Sequence, residues 1–425
     1  MTLSKPANTQ STTRWGLATV VVCLTMLASC SSMFPVLGPR ITELYSITAG
    51  QYGEIMGLPN LCRIPSLLIV GPLIALFGAR RVAEIAMIGI GAAYLTLGIG
   101  QTLLSLQLCL SLMGFFFGLF SIAIPALLIS LFPARKRGMF SVNLVALAFP
   151  SMIYPFVASE ILQWSADHTE YGAAIFAPFS IFGGLLAVGA ALLLVWKRNP
   201  GLDRGGEPAP SARDASAGVG LLASIKSRMG EIVAQLCSFR SCLIVLLVCL
   251  HASADNTVYT FLPMFMDAQF EDLPARGTAW AISAHGLAYV LTRTVLSIMP
   301  EMLGQRAILK LAGPLGGSLV IAMLWYGSPL AIPLLYLLAS LMFAAEFPTL
   351  ASEVSSRSMG GFGTVLATGL LLSDVATFAI QQATGRLADT TGDYRVALSI
   401  AACGFIAFGV IALVTGLGRP DASNA

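Results

Sequence analysis

"GPLIALFGARR" (residues 71–81) lies between two long apolar runs and has a near copy in "SIMPEMLGQRA" (residues 297–307). In both stretches the key positions are separated by four and then three residues: Gly71, Ala75 and Gly78 in the first, and Ser297, Glu301 and Gly304 in the second. The copies start 226 residues apart (297 − 71). A loop pattern that recurs in this way predicts an internal duplication of the chain.

A second pair of loops has almost the same separation. "IPALLISLFPARKRG" (residues 124–138) and "FPTLASEVSSRSMGG" (residues 347–361) each run from a proline to a glycine, and they start 223 residues apart (347 − 124). Because two independent loops recur at nearly one offset, the sequence predicts two homologous halves.

The composition is typical of a membrane protein. Of the 425 residues, 56% are hydrophobic and only 11% are charged, whereas a soluble domain carries about 25% charged residues. The net charge of +3 is too small, and the basic residues are too dispersed, to indicate a nucleic-acid partner. The eight cysteines form no CxxC pair and no Cys/His cluster, so we predict neither disulfides nor a metal site.

Twelve apolar runs are long enough to cross a bilayer core of about 30 Å as helices. They are residues 15–38, 50–75, 82–102, 106–131, 138–163, 173–196, 239–265, 276–299, 306–327, 329–352, 361–384 and 395–416. We therefore predict an all-α polytopic membrane protein with twelve transmembrane helices in two pseudo-symmetric six-helix bundles. The bundles are residues 15–196 and 239–416, with short termini at residues 1–14 and 417–425.

The central segment, residues 197–238, predicts a hydrated loop between the halves. Its first part is rich in Gly, Pro, Ser and charge. In its second part, apolar residues recur at helical spacing: Leu221, Leu222, Ile225, Met229, Ile232, Val233 and Leu236. This pattern predicts an amphipathic helix on the membrane surface, with an ordinary helical linker as the alternative.

The distribution of Lys and Arg predicts the orientation. With the N-terminus inside, 18 of the 24 basic residues are cytoplasmic, and only Arg40, Arg276, Arg386 and Arg395 are external. By the positive-inside rule both termini are predicted to be cytoplasmic, in a plasma membrane or bacterial inner membrane. "LASC" (residues 27–30) matches a lipoprotein cleavage site, but the apolar run continues past it, so we expect the first helix to be retained.

The repeated loops, the six-plus-six arrangement and the long central loop resemble the major facilitator superfamily over essentially the whole chain. In that family, loops after the second and eighth helices carry Gly-x-x-x-Asp-x-x-Gly-Arg-Arg, whose acid contacts a helix end and whose arginines lock the cytoplasmic gate. The resemblance implies gating roles for the matching positions: Gly71, Gly78, Arg80, Arg81, Glu301, Gly304 and Arg306. Ala75 replaces the first acid, so we expect an asymmetric gate in which Glu301 makes the stronger helix-end contact.

Polar residues within the predicted spans are candidates for function, because a charge at mid-bilayer costs about 2.5–3.5 kcal/mol and needs a partner or a wet cavity. Our candidates for substrate binding are Arg63, Arg293, His251, Asn256, Tyr259 and His285. Our candidates for proton coupling are Asp255, Glu346 and Asp374.

The stretch "HASADNTVY" (residues 251–259) is the densest polar segment within a span. His251, Asp255 and Tyr259 are four residues apart and so share a helix face, which predicts a carboxylate beside an imidazole. Such a pair is a workable proton site. A structural hydrogen-bonded pair is the alternative.

Two further pairings are predicted from depth in the membrane. Arg293 and Glu346 lie at similar depths and could form a charge pair that breaks as the halves move, or a static salt bridge. Asp374 has Ser373 and Thr377 nearby as hydrogen-bond donors, which leaves both a functional and a structural role open.

Arg63 is interpreted as an unpaired arginine that faces a cavity, which favours an anionic substrate. "LCRIP" followed by "LFGARR" is faintly similar to the nitrate/nitrite porters of the same superfamily. The Gly-rich stretches of those porters' fifth and eleventh helices are missing here, so we retain an anion but not nitrate.

The sequence thus predicts a proton-coupled secondary transporter for a small organic solute, with anions favoured, acting as a monomer in the bilayer without a cofactor. A multidrug or metabolite exporter is the first alternative, although the fifth helix lacks the GxxxGPxxGG signature of antiporters. A non-transporting sensor or scaffold is the second, and the missing acid at Ala75 is its only support. We predict that the protein is not an enzyme, because the sequence has no phosphate loop and no nucleophile–base pair outside the predicted spans.

Overall fold

The computed structural model describes most of the chain as helices, and no strand occurs in the part that it describes. The described residues are 7–132, 135–167, 175–195, 226, 229–233, 237–270, 273–298, 305–357 and 362–415. The long helices are α1 (Ala7–Ala28), α2 (Phe34–Tyr45), α3 (Ala49–Phe77), α4 (Ala79–Gly100), α5 (Leu103–Leu131), α6 (Lys136–Asp167), α7 (Ala177–Val195), α8 (Phe239–Gln269), α9 (Ala275–Ile298), α10 (Gln305–Tyr326), α11 (Ala331–Arg357), α12 (Phe362–Thr391) and α13 (Tyr394–Val414).

The predicted architecture of twelve long segments is confirmed. A 3-10 turn at Ser29–Met33 joins α1 and α2 into one continuous segment that contains the predicted first span. Among the described helices, ten segments are long and apolar enough to cross a membrane. The other two, α9 and α12, are 24 and 30 residues long but less apolar, and they carry Arg293 and Asp374.

The packing of the helices repeats between the halves. In the first half α4 packs against α5 and α7, and α3 packs against α5. In the second half α10 packs against α11 and α13, and α9 packs against α11. Because each pair has its counterpart, the duplication predicted from the loops is present in the fold. The halves meet where α3 packs on α12 and α6 packs on α9, which are themselves equivalent pairs.

The break in the first segment is held by hydrogen bonds to the neighbouring helix. Tyr94 of α4 donates its hydroxyl to Ala28 O (2.7 Å) and accepts from the Ser31 backbone N–H (3.2 Å). The 3-10 turn therefore stays inside the bundle, with Cys30 of the "LASC" stretch completely buried.

Glycines set the distance between α3 and α5. A Cβ at Gly118 would overlap Ser66 Oγ and Arg63 Cγ, and a Cβ at Gly114 would overlap the Pro59 carbonyl. The sequence Gly114-x-x-x-Gly118 thus permits the close approach of two helices, as small residues do in membrane bundles. This contact fixes the part of α3 that carries Arg63.

Two ends of the bundle are distinguished by their charge. We call the end that carries Arg80, Arg81, Arg135 and Lys310 the basic end, and the other end the opposite end. Of the central segment, residues 229–233 are helical and expose Met229 and Val233. Leu221, Leu222, Ile225 and Leu236 lie outside the described residues, so the membrane-surface helix stays a prediction.

Candidate functional site

A cavity of about 450 Å³ lies between the two halves. The first half contributes serines of the 3-10 turn, Arg63 of α3, Phe117 of α5 and several residues of α6, whereas α8, α9 and α12 line the other side. Six of the nine predicted site residues line this cavity: Arg63, Asp255, Asn256, Tyr259, His285 and Arg293. The other three are buried beside it: His251, Glu346 and Asp374.

Arg63 is paired across the two halves. Its Nε donates to Oδ2 of Asp374 at 2.7 Å, and its Nη2 donates to Oδ1. The Asp374 side chain is 1% exposed and that of Arg63 is 24% exposed, so the arginine shields the acid from the cavity. The sequence interpretation of Arg63 as an unpaired cation was therefore wrong. The predicted partners of Asp374 also differ, since Ser373 donates to Leu370 O instead.

Arg293 is the cavity arginine without an acidic partner among the described residues. Its Nη1 donates to the Leu144 carbonyl of the first half at 3.1 Å, and its Cζ lies 4.7 Å from the centre of the Tyr289 ring. Its buried Nε has no hydrogen-bond partner in the described part of the chain. The predicted pair with Glu346 does not form, because Glu346 faces α8 rather than α9.

Glu346 and His251 form a buried pair within the second half. His251 Nδ1 lies 2.7 Å from Glu346 Oε2, and the imidazole packs beside Phe405 and Phe408. Glu346 Oε1 is buried, and no described residue forms a hydrogen bond with it. The predicted neighbour of His251 was Asp255, but a side chain on a helix contacts whichever helix it faces, and His251 faces α11.

Asp255 belongs to a separate cluster on the cavity wall. Its Oδ2 accepts a hydrogen bond from the Tyr289 hydroxyl at 2.6 Å. Its Oδ1 lies 3.9 Å from His285 Nδ1, which is 3.1 Å from Ser340 Oγ. The carboxylate-beside-imidazole arrangement therefore exists, but the imidazole is that of His285.

Tyrosine rings surround His285. The ring centres of Tyr289, Tyr259 and Tyr336 lie 4.4, 4.9 and 5.4 Å from the imidazole. Tyr259 also donates to the carbonyl of Ser32 in the first half at 3.4 Å. Nearby, Asn256 is exposed on the cavity wall and donates to Ala252 O of its own helix at 2.8 Å.

Tyr289 is the residue that sequence reasoning missed. It contacts Asp255, His285 and Arg293, and so joins the three polar groups of the second half. His285, Tyr289 and Arg293 are four residues apart on α9, so they share one helix face. This spacing could have identified Tyr289 from the sequence.

The loop at the basic end contains a glycine turn. Gly78 ends α3 with φ of +84°, a conformation that favours glycine. Arg80 bonds Glu84 Oε1 (2.9 Å) and the Leu193 carbonyl at the end of α7 (2.7 Å), and Arg81 is exposed. Gly71 lies within α3.

The second copy of this loop cannot be compared with the first. Glu301 and Gly304 lie outside the described residues, as does the side chain of Arg306. The asymmetric gate therefore stays a prediction.

The opposite end has an acid in the same spacing, which sequence reasoning also missed. Gly385, Asp389 and Gly392 repeat the separation of four and then three residues, and Gly392 ends α12 with φ of +67°. The Asp389 carboxylate accepts from the backbone N–H groups of Ala49 and Gly50, at 2.8 Å each. It thus joins α12 to the N-terminus of α3, across the halves.

A second contact joins the two halves at the opposite end. It lies between α6 and α9, the pair of helices equivalent to α3 and α12. Arg276 at the start of α9 donates from Nε and Nη2 to both carboxylate oxygens of Glu160 on α6, at 2.8 and 3.1 Å. The α3–α12 and α6–α9 interfaces therefore each carry an acid that bridges the halves at this end. In the described residues, no group of three or more His, Cys, Asp and Glu side chains could hold a metal ion.

The sequence matches the family model of the Major Facilitator Superfamily over residues 19–368. The chain therefore belongs to this superfamily and is a membrane transporter of that class, as its loops and duplicated bundles indicate. Among curated protein sequences, none matches the chain significantly.

Solved structures share the fold. The E. coli fucose:proton symporter FucP superposes with a TM-score of 0.62 at 13% identity, covering 93% of this chain and 97% of that chain. FucP in the outward conformation gives 0.63 at 14% identity, covering 93% and 98%. A POT family transporter in complex with a thioalcohol-conjugated peptide gives 0.65 at 16% identity, covering 93% and 96%. Identities this low show the fold alone.

Proposed function

We propose that this transporter carries a small organic carboxylate by proton-coupled alternating access. The observation that supports a carboxylate is Arg293, a cavity guanidinium that no described acid neutralises. Guanidinium binds carboxylate through two parallel N–H···O bonds, and such a bond is strong where water is scarce. Arg293, rather than Arg63, thus supports the preference for an anionic substrate.

Arg63 and Asp374 have a different role in this proposal. Their pair joins α3 to α12 at the cavity wall, so it holds the two halves at a fixed separation. Removing one partner of a buried pair leaves an uncompensated charge, which costs about 3–5 kcal/mol. The pair therefore maintains the interface while the ends open and close.

The coupling proton is assigned to His251 and Glu346. Both side chains are buried in the second half beside the cavity without lining it, and one oxygen of Glu346 has no hydrogen-bond partner among the described residues. A buried carboxylate beside an imidazole can hold or release a proton as its surroundings change. Asp255, one helical turn from His251 on α8, connects this pair to the cavity wall.

The conformation is one in which the opposite end is closed. The Asp389 and Glu160 contacts bridge the halves there, and α2 packs on α8. The cavity lining includes Leu144, Arg293 and Leu370, which lie towards the basic ends of their helices. With the orientation predicted by the positive-inside rule, this is an inward-facing arrangement.

A ligand screen of the purified protein tests the carboxylate. We expect small carboxylates to raise the apparent melting temperature, because a ligand that binds the folded state stabilises it. Sugars and organic cations should produce no shift. The Arg293→Gln variant should lose the response, whereas Arg40→Gln, which removes an arginine at the opposite end, should keep it. Stabilisation by a sugar or a cation, and by no carboxylate, would overturn the proposal.

A further inference from the structure

Arg293 and Asp255 are opposite charges that line the same cavity. Among the described residues, Arg293 has no acidic partner and Asp255 has no Arg or Lys partner, while His285 Nδ1 lies 3.9 Å from Asp255 Oδ1. Both contact Tyr289: the arginine lies over its ring, and the carboxylate binds its hydroxyl. The two charged groups therefore lie beside the same tyrosine side chain.

The other charged groups near the cavity, as far as the described residues go, are paired with each other. Arg63 is neutralised by Asp374, and Glu346 is paired with His251. In the part of the chain that the structure describes, the cavity wall thus presents one positive group, Arg293, and one negative group, Asp255, to its contents. A simple anion would satisfy Arg293 but would lie close to the Asp255 carboxylate. A molecule with both an anionic and a cationic group would satisfy both, which is the requirement for electrostatic complementarity.

We propose that the substrate is an amino acid, with its carboxylate on Arg293 and its ammonium group on Asp255. This inference rests on the proposed function and specifies the class of carboxylate. The tyrosine rings around His285 also favour a cation, since an ammonium group is attracted to an aromatic face. The rest of the wall includes Phe117, Leu144 and Leu147, which suit an apolar side chain.

Ligands that differ in one group distinguish an amino acid from other carboxylates. Phenylalanine, 3-phenyllactate and 3-phenylpropionate share one skeleton and carry an ammonium, a hydroxyl or a hydrogen beside the carboxylate. Alanine, lactate and propionate form the same set with a small side chain. We expect the amino acid of at least one set to bind the purified transporter tenfold or more tightly than the plain acid, since the ammonium group adds a charged hydrogen bond to Asp255. Isothermal titration calorimetry measures this ratio.

Variants assign the preference to Asp255. Asp255→Asn keeps an acceptor for the Tyr289 hydroxyl but removes the charge, so the ratio between amino acid and plain acid should fall towards one. Asp267→Asn removes a carboxylate farther along the same helix and should leave the ratio unchanged. If Arg293→Gln does not fold, Arg293→Lys, which keeps the charge but loses the fork, serves as the second variant and should weaken every carboxylate.

The outcomes separate this inference from the proposed function. If all three ligands of a set bind equally well and Arg293→Gln weakens them all, the carboxylate proposal stands and the amino-acid inference fails. A preference for the amino acid that persists in Asp255→Asn also overturns the inference. If no carboxylate in either set binds, and the Arg293 variants behave like the wild type, both fail.

Discussion

Asp389 and Gly50 join the two halves of the transporter at the opposite end of the bundle. The carboxylate accepts the Gly50 N–H at 2.8 Å, and a Cβ at residue 50 would lie 2.8 Å from Asp389 Oδ2, so glycine permits the contact. The first backbone N–H groups of a helix have no partner within the helix and carry partial positive charge. An acid placed there binds two N–H groups and the helix dipole at once.

Asp389→Asn should open the opposite end more often. A charge at a helix N-terminus contributes about 1–2 kcal/mol in a partly buried position, so we expect the open fraction to rise roughly five- to thirtyfold. The measurement is modification of a Ser32→Cys variant by a membrane-impermeant thiol reagent added outside, after the native exposed cysteines have been replaced.

Asp393→Asn is the matched control for this prediction. Its carboxylate accepts the Arg395 N–H within the second half, at the N-terminus of α13, so it has the same chemistry without joining the halves. Equal modification rates in the two variants would mean that the Asp389 contact does not control the opening.

Ala75→Asp, a change at the basic end, should also make the opposite end open more often. Ala75 is exposed near the end of α3 at the basic end, where the family motif places its acid. An acid there should stabilise closure of the basic end and thus raise outside modification of the Ser32→Cys reporter. Ala75→Asn, which adds the same bulk without charge, should have a smaller effect. No difference between the acid and the amide would contradict a gate at this loop.

Arg63→Gln should destabilise the folded protein by about 3–5 kcal/mol, because the Asp374 carboxylate is buried and loses its partner. Asp374→Asn should cost less, because the remaining Arg63 faces the cavity. The double variant Arg63→Gln with Asp374→Asn should lose less than the sum of the single variants. Thermal unfolding in detergent measures all three. Additive losses would show that the two residues act independently, contrary to the geometry.

Glu346→Gln should uncouple transport from the proton gradient. A glutamine beside His251 keeps a hydrogen bond but cannot take up a proton, so accumulation driven by a pH gradient should disappear while exchange of substrate continues. Reconstituted vesicles with and without an imposed gradient give both rates. Glu54→Gln, which changes an exposed glutamate near the opposite end, should remain coupled. A Glu346→Gln variant that still accumulates substrate would exclude this residue from coupling.

Much of the fold could be predicted from the sequence because its signals are local or periodic. Apolar runs of the right length gave the spans, and the repeated loop spacing gave the duplication that the packing pairs confirm. A turn at Gly78 could be inferred from the sequence because a turn with positive φ favours glycine. The polar residues of the cavity were found because charge in a membrane is costly wherever it occurs.

The sequence by itself determined which residues had to find partners, and the tertiary structure decided which partners they found. Spacing along one helix placed His251 and Asp255 on one face but could not show that Glu346 would contact one and Tyr289 the other. Contacts between residues far apart in the chain depend on the rotation and neighbours of each helix, which only the packing of the bundle fixes. For the same reason, the sequence showed that Ala75 replaces an acid, whereas only the fold showed that Asp389 binds the N-terminus of α3.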